Sequence, residues 1–185
     1  MDLALVEAAR SGDEEAFASI VRGSADRLFA VTHRILRDVG RAEDAVQQTL
    51  VTAWRELPAL RDIERFEAWT HRILVNACYT EAKRASKWTA IVVALPIDGP
   101  ATPDTTVSID TRDALDRGFG RLPMEQRAAF VLHHYLGWSV AEIADNLGVP
   151  TETIRSRLRY ATSSLRAALD ADTRTTSTTS LERMA

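Results

Sequence analysis

The stretch that decides the fold is Ser139-Val-Ala-Glu142-Ile-Ala-Asp-Asn-Leu147-Gly148-Val-Pro150-Thr151-Glu-Thr-Ile154-Arg-Ser-Arg-Leu158. It opens with a capping box, in which a serine caps a helix and a glutamate stands three positions further on. The short helix that follows is predicted to end at Leu147, and the turn Gly148-Val149-Pro150 leads to a longer helix capped by Thr151. A short capped helix, a glycine-containing turn and a longer second helix together predict a helix-turn-helix.

The second helix of such a motif enters the major groove of DNA through its N-terminal half. Arginine can bind guanine through two hydrogen bonds, and serine can bind several base edges or a phosphate. A solvated basic face on a surface helix is the alternative interpretation, but the capping box, the glycine turn and the arginine cluster together favour DNA recognition. The outer face carries four side chains at offsets 0, 1, 4 and 5, flanked by Arg157: Arg155, Ser156, Arg159 and Tyr160.

The rest of the chain is also predicted to be helical, because it shows no sustained alternation of apolar and polar residues of the kind that strands produce. We therefore predict an all-α protein of two small helical domains joined by an extended linker, with the helix-turn-helix in the second. The linker is marked by Pro96, Pro100 and Pro103 and carries acidic but no basic residues between positions 91 and 111. The predicted boundaries are 1–88 for the first domain, 89–108 for the linker, 109–169 for the second domain and 170–185 for a disordered tail rich in Thr and Ser.

The composition of the chain limits the classes of function that it can have. The 185 residues include a single cysteine, Cys78, which excludes an intramolecular disulfide framework and fits a reducing cytoplasm. The four histidines show no metal-ligand spacing, and no phosphate-binding glycine loop, nucleophile elbow or paired catalytic carboxylate motif is present. We therefore predict no enzyme activity, no catalytic residue, no metal and no cofactor. The longest apolar run, Ala90–Leu95, is far shorter than the roughly 20 residues of a membrane span, so membrane insertion is not expected.

Net charge bears on how the chain binds DNA. There are 23 basic and 26 acidic residues, giving a net charge of −3, whereas proteins that bind DNA unaided are usually more basic. A stand-alone helix-turn-helix regulator is one alternative, although the sequence offers no dimerisation heptad. A helical adaptor that sequesters other proteins is another, and the arginine face of the last helix argues against it.

Several motifs in register resemble extracytoplasmic-function sigma factors, the dissociable initiation subunits of bacterial RNA polymerase. The C-terminal motifs resemble the fourth conserved region of that family: Leu122-Pro-Met-Glu-Gln-Arg127, Tyr135-Leu-Gly-Trp-Ser-Val-Ala-Glu-Ile-Ala144 and Thr153-Ile-Arg-Ser-Arg-Leu158. The N-terminal motifs resemble the second region: Arg34-Ile-Leu-Arg-Asp38, Ala42-Glu-Asp-Ala-Val-Gln47, Ala53-Trp-Arg-Glu-Leu57, Phe66-Glu-Ala-Trp69 and Arg72-Ile-Leu-Val-Asn76. The resemblance spans residues 5–169.

This resemblance implies partners for the first domain. It is expected to dock on the clamp of the largest catalytic subunit of core RNA polymerase through Asp44 and Gln47. Gln48 stands where the family often has an acidic residue. An anti-sigma factor is a further candidate partner, expected to cover the surfaces that face polymerase and DNA.

The resemblance also implies two promoter contacts. The outer face of the last helix would read the minus-35 element, with Tyr160 at a position where many members have arginine. The loop between Pro58 and Phe66 corresponds to the loop that captures a flipped base of the minus-10 element. The family more often has a denser arginine run after this loop, and an aspartate at the position of Thr80. The minus-10 candidates lie in or after that loop: Arg61, Arg65, Arg72, Asn76, Lys83 and Arg84.

Overall fold

The protein is helical throughout the part of the chain described by its computed structural model. Backbone is described for residues 2–93 and 111–182, and side chains for residues 2–85 and 115–170. These ranges contain no strand, as the sequence predicts. The helices are α1 (Leu3–Arg10), α2 (Glu14–Leu36), α3 (Val39–Glu56), α4 (Phe66–Val93), α5 (Thr111–Arg121), α6 (Met124–His134), α7 (Val140–Leu147) and α8 (Thr151–Glu182), with 3-10 turns at Leu57–Ala59 and Ile63–Arg65.

Local hydrogen bonds fix where these helices begin. The Asp13 carboxylate accepts hydrogen bonds from the backbone N–H groups of Glu15 and Ala16 and so caps α2. Ser139 and Glu142 form the predicted capping box at the start of α7, where each side chain accepts from the other residue's backbone N–H. The sequence predicts the start of α7 correctly because capping depends on neighbours within one turn.

The first domain is a bundle of α2, α3 and α4. Its core contains Val31, Ile35 and Leu74, all fully buried. A second apolar cluster, which includes Val6 and Leu57, joins α1 and the first 3-10 turn to this bundle. Burying these side chains removes apolar surface from water and holds the loop before α4 against a fixed support.

The second domain is built around α8, which packs on α5, α6 and α7. Ile154 and Ala161 on α8 are fully buried, as is Ile143 on α7. The approach of α5 to α8 depends on Gly118, because a methyl group there would lie 2.8 Å from the Cβ atom of Ala168. A larger side chain at this position would push the two helices apart.

The two domains pack against each other. Helix α2 contacts α6, and α4 contacts α7. One continuous apolar cluster includes Val31 of the first domain together with Leu132 and Ile143 of the second. The sequence predicts two domains and a linker but does not predict this shared core.

Two segments differ from the sequence predictions. Helix α4 continues to Val93, so residues 89–93 are helical where the sequence predicts the start of an extended linker. The remaining linker positions, 94–108, lie outside the described residues. Helix α8 continues to Glu182, whereas composition predicts disorder from residue 170. Extending an existing helix avoids the cost of nucleation, since each added residue forms another hydrogen bond.

Candidate nucleic-acid interface

The helix-turn-helix consists of α7, a turn at Gly148 and the start of α8. Gly148 adopts a left-handed conformation, with φ of 65°, and the N–H of Val149 donates to the carbonyl of Ala144 at 3.1 Å. Buried Ile154 anchors the first turns of α8 to the core. This anchoring directs the opposite side of α8 towards solvent.

Four of the five predicted minus-35 residues lie on or beside that exposed side. Arg155 is exposed and forms an ion pair with Glu152 at 3.2 Å. The Arg159 guanidinium lies 5.3 Å from the ring centre of Tyr160, whose side chain is 57% exposed. Ser156 is half-buried, and its hydroxyl donates to the Thr153 carbonyl at 2.9 Å. The ion pair with Glu152 is weak in solvent, so Arg155 can exchange it for DNA.

Arg157 has a different environment. It is half-buried, and its guanidinium lies close to the Tyr79 hydroxyl of α4, in the other domain. Burial raises the pKa of the Tyr79 hydroxyl, and the nearby Arg157 charge acts in the opposite direction. The Tyr79 hydroxyl therefore stays protonated at neutral pH, and Arg157 is engaged within the protein.

Four of the predicted minus-10 residues are exposed on α4. Arg72 and Asn76 are four positions apart and therefore share a face, which Thr80 extends by donating to the Asn76 carbonyl at 3.0 Å. Lys83 and Arg84 follow one turn later, and Arg84 is paired with Glu81 at 2.7 Å. This exposed strip of α4 can bind a nucleic-acid strand through amide, hydroxyl and cationic groups.

The other two predicted minus-10 residues lie between α3 and α4. Arg61 is exposed in the loop between the 3-10 turns. Arg65 ends the second turn and lies 3.5 Å from the Asp145 carboxylate of α7, with both side chains largely exposed. Arg65 is thus next to the second domain, whereas Arg61 has no such neighbour among the described ion pairs.

The predicted polymerase-docking residues lie on the exposed side of α3. Asp44, Gln47 and Gln48 are all exposed, and the Gln48 amide donates to the Thr52 hydroxyl at 3.1 Å. This placement leaves all three side chains accessible to a binding partner.

The structure adds an apolar element beside these residues that the sequence reasoning missed. A groove of about 360 Å³ runs between α2 and α3, with Gln47 at its edge and Phe29, Leu50 and Val51 in its lining. The Val51 side chain is 46% exposed. The sequence feature that could have indicated this groove is Val51, an apolar residue on the otherwise polar side of α3.

Metal binding and thiol chemistry find no support among the described side chains. No group of three or more His, Cys, Asp or Glu residues is arranged to hold a metal ion in the described ranges. Burial raises the pKa of Cys78 to about 12, which keeps this thiol protonated and unreactive. Across the described residues, no helix combines the length and the apolar character that a membrane crossing requires.

Comparison with known families identifies both domains. Residues 20–88 match the Sigma-70 region 2 family and residues 112–162 match the Sigma-70 region 4 family. The class of protein is therefore a two-domain, sigma-70-type transcription factor, and neither of the matched families is catalytic.

Similar proteins define the family more narrowly. The ECF RNA polymerase sigma factor SigM of Mycobacterium tuberculosis H37Rv is 35% identical over 156 residues, which covers 84% of this chain and 78% of SigM. The ECF RNA polymerase sigma factor SigW of Bacillus subtilis 168 is 25% identical, covering 89% of this chain and 94% of SigW. This chain belongs to the extracytoplasmic-function sigma factors. Membership makes it a promoter-specific initiation factor and excludes the stand-alone regulator.

Two solved structures share the fold. CnrH, determined in complex with the cytosolic domain of CnrY, is 28% identical with a TM-score of 0.65, and the match covers 92% of this chain and 98% of CnrH. The sigma factor RpoE of Bartonella quintana, determined with the anti-sigma factor NepR, is 25% identical with a TM-score of 0.63. That match covers 84% of this chain and 98% of RpoE.

Proposed function

We propose that this sigma factor binds core RNA polymerase through α3, reads the minus-35 element with α8 and holds the melted minus-10 element with α4 and the preceding loop. One observation carries the proposal: region 2 and region 4 occur in order in one chain, and each has an exposed polar face on the helix that the family uses. The net charge of −3 agrees with this division of labour, because polymerase can supply most of the DNA affinity.

The minus-35 contact follows from the exposed side of α8. Arg155 and Arg159 present guanidinium groups that can bind guanine edges in the major groove, and Tyr160 supplies an exposed ring beside them. Ser156 lies closer to the core and suits a phosphate or a base edge at the side of the groove. Arg157 joins this set only when it moves away from the Tyr79 hydroxyl.

The minus-10 contact requires the DNA strands to separate and one base to leave the stack. Extruding a base costs a few kcal/mol, which the protein must offset with contacts to the flipped base and the single strand. Arg61 and Arg65 border the loop that would receive the base. The exposed strip of α4, beginning with Arg72 and Asn76, lies on the next helix and would bind the adjacent strand.

Polymerase docking is assigned to the exposed side of α3 together with the apolar groove beside it. Asp44, Gln47 and Gln48 would give polar contacts, and Val51 would bury apolar surface on binding. The same face is the surface on which we would expect an anti-sigma factor to act, since covering it prevents polymerase binding. The two similar solved structures support that partner class, because both are complexes.

Reconstituted transcription tests the function directly. Purified chain, core polymerase without other sigma factors and a library of promoter fragments are combined, and the transcripts are sequenced. We expect initiation at a restricted set of fragments that depends on the added chain. A well-folded chain that binds core but initiates nowhere would contradict the promoter-reading assignment, and a chain that fails to bind core would contradict the α3 assignment.

A matched pair of variants tests whether α3 binds core polymerase. Gln47→Ala removes a predicted docking residue, whereas Arg22→Ala removes an exposed side chain of α2 whose partners among the described residues are Glu15 and Ser19. Initiation should fall with the first variant and remain unchanged with the second.

A further inference from the structure

Helix α1 makes a direct hydrogen bond to the connection between α3 and α4, residues 57–65, which we call the minus-10 loop. The Arg10 guanidinium donates through Nη1 to the backbone carbonyl of Leu60 at 3.2 Å, although the two residues are 50 positions apart. Through Nη2 it donates to the Glu7 carboxylate of α1 at 2.7 Å. A guanidinium presents its N–H groups in a rigid planar fork, so binding Glu7 restricts where the other nitrogen can point. Arg10 therefore meets Leu60 as an oriented donor.

The Leu60 carbonyl belongs to the same peptide unit as the N–H of Arg61. A peptide unit is planar, so a hydrogen bond to its oxygen restricts the orientation of the whole plane. Leu60 lies at the end of the first 3-10 turn in an extended conformation, with φ of −68° and ψ of 113°. The hydrogen bond from Arg10 thus limits the directions in which the exposed Arg61 side chain can leave the backbone.

Helix α1 also gives the minus-10 loop apolar support. Val6 and Ala9 of α1 are buried in one cluster with Leu57, the first residue of the loop. Leu60 and Ile63 are half-buried and pack against that cluster. Short 3-10 turns have hydrogen bonds of poorer geometry than an α-helix, so contacts from outside the loop contribute more to its order. Helix α1 supplies both apolar and polar contacts of this kind.

Most of this support comes from outside the part of the chain that the family match covers. The match to Sigma-70 region 2 begins at residue 20, after α1 has ended at Arg10. A turn at Gly12, whose φ of 98° is in the left-handed region, joins α1 to α2. The Arg10–Leu60 hydrogen bond therefore connects an element before the matched region to a loop inside it.

We propose that α1 positions the minus-10 loop for base capture and that Arg10 is the positioning residue. The inference rests on the proposed function, because that function assigns the flipped base to this loop. A loop that must be ordered during binding loses affinity to the entropy of ordering, whereas a loop held in advance does not. Loss of Arg10 should reduce capture of the base and leave the binding surfaces on α8 and α3 unchanged.

An abasic scan tests whether Arg10 acts through base capture. Holoenzyme is formed from the chain and core polymerase, and its affinity is measured for forked promoter fragments in which one nucleotide of the single-stranded minus-10 element lacks its base. The position with the largest loss identifies the captured base, and we expect a loss of roughly tenfold in the wild type. Arg10→Met keeps an apolar stem and removes every N–H donor. Its loss on the same abasic fragment should be less than about threefold, because two changes that act through one contact are not additive.

Arg22→Met is the matched control. Arg22 is an exposed arginine of α2, and its partners among the described residues are Glu15 and Ser19. This variant should keep the wild-type abasic loss. A purely structural role for Arg10 would weaken binding to intact and abasic fragments by the same factor, so the ratio of the two affinities would not change. Both variants should bind core polymerase, and a duplex carrying the minus-35 element, as the wild type does.

Hydrogen exchange reports on the loop in the free chain. The Leu60 N–H donates to the Leu57 carbonyl at 3.0 Å, and the Arg65 N–H donates to the Asp62 carbonyl at 3.2 Å. Both amides should exchange faster in Arg10→Met than in the wild type or Arg22→Met, because local opening of the loop becomes easier. Arg10→Lys keeps a charged donor without the fork and should give intermediate values in both experiments.

The outcomes separate this inference from the proposed function. A full wild-type abasic loss in Arg10→Met, or loop exchange that the substitution leaves unchanged, would overturn the positioning role alone. If the wild type itself shows no abasic loss at any position, base capture by the loop fails as part of the proposed function, and the role of α1 in it fails too. Circular dichroism shows whether the helices of Arg10→Met remain intact. If they do not, Arg10→Lys decides the result by the same two measurements.

Discussion

The Arg159 guanidinium lies 5.3 Å from the ring centre of its neighbour Tyr160, on the exposed side of α8. A cation over an aromatic face is stabilised by roughly 0.5–1 kcal/mol at an exposed site. The ring therefore holds Arg159 in a limited set of positions before DNA arrives. Pre-ordering a guanidinium lowers the entropy lost when it binds a base.

Tyr160→Ala should weaken promoter recognition even if Tyr160 touches no base, because Arg159 loses this support. We expect a two- to fivefold loss in initiation at the promoter found with the wild type. Tyr160→Phe keeps the ring and should keep most of the activity. Equal losses in the two variants would show that the hydroxyl, and not the ring, is what matters. Initiation from single-round transcription is the measurement.

Arg155→Ala should cost about 1–3 kcal/mol in minus-35 recognition and relax the sequence preference at one base pair. The reason is that a guanidinium with two hydrogen bonds to guanine discriminates against the other bases. Competition between promoter fragments that differ at single positions measures this loss. A uniform loss on all fragments would reassign Arg155 to a phosphate contact, and Arg22→Ala provides the control for the loss of a surface arginine.

Val51→Asp should weaken binding to core polymerase at least tenfold while leaving the fold intact. The side chain is 46% exposed beside the groove between α2 and α3, and a carboxylate placed there would be desolvated on binding. Val39→Asp is the matched control, since Val39 is 55% exposed at the start of the same helix, where an acidic residue is favourable. Fluorescence-detected titration with core polymerase measures both, and equal affinities would remove the groove from the docking surface.

Gly118→Ala should destabilise the second domain by about 1–3 kcal/mol, because the new methyl group would press on the Ala168 side chain. Gly23→Ala should have the opposite effect, by roughly 0.5–1 kcal/mol, since Gly23 lies inside α2 and the added carbon would meet no atom within 4 Å other than the backbone of its own helix. Urea unfolding of both variants gives the comparison. A neutral result for Gly118→Ala would mean that α5 can shift away from α8.

Acidification should lower the free energy of unfolding of the protein, because His71 is buried as a neutral ring. Burial lowers the pKa of His71, although the hydrogen bond to the Glu67 carbonyl, at 2.8 Å, and the Glu67 charge oppose that effect. Arg27 of α2, paired with Glu67 at 2.8 Å, acts in the same direction as burial, and Trp138 on the other side is neutral. The unfolded chain therefore binds a proton more readily, so stability is complete above about pH 6.5 and declines as the pH falls below it.

His71→Phe tests this pH dependence, because it keeps a ring against Trp138 and removes the titration. Urea unfolding at pH 7.5 and pH 5.5 should show a smaller loss of stability on acidification than in the wild type. His33→Phe, at an exposed position, should behave like the wild type. A wild-type slope retained in His71→Phe would assign the acid sensitivity to other groups.

The helices, their caps and the turn between α7 and α8 can be predicted from sequence alone, because each depends on interactions between residues close together in the chain. The capping box at Ser139, the left-handed turn at Gly148 and the apolar stripe of α3 each depend on residues within a few positions of one another, so neighbouring side chains determine them. The motifs of both regions likewise place Arg155 and Asn76 on exposed helix faces before any coordinates are considered.

Tertiary structure decided what depends on distant residues. The pairing of Asn146 with Ala68 joins positions 78 apart, and no periodicity in either helix indicates it. For the same reason Arg157, which looks like its neighbours in sequence, is engaged by Tyr79 while Arg155 faces solvent. Sequence determined the helices, their caps and the faces that they offer. Only the packing of the two domains decided which of those faces are free, because burial is a property of the whole fold and not of any one helix.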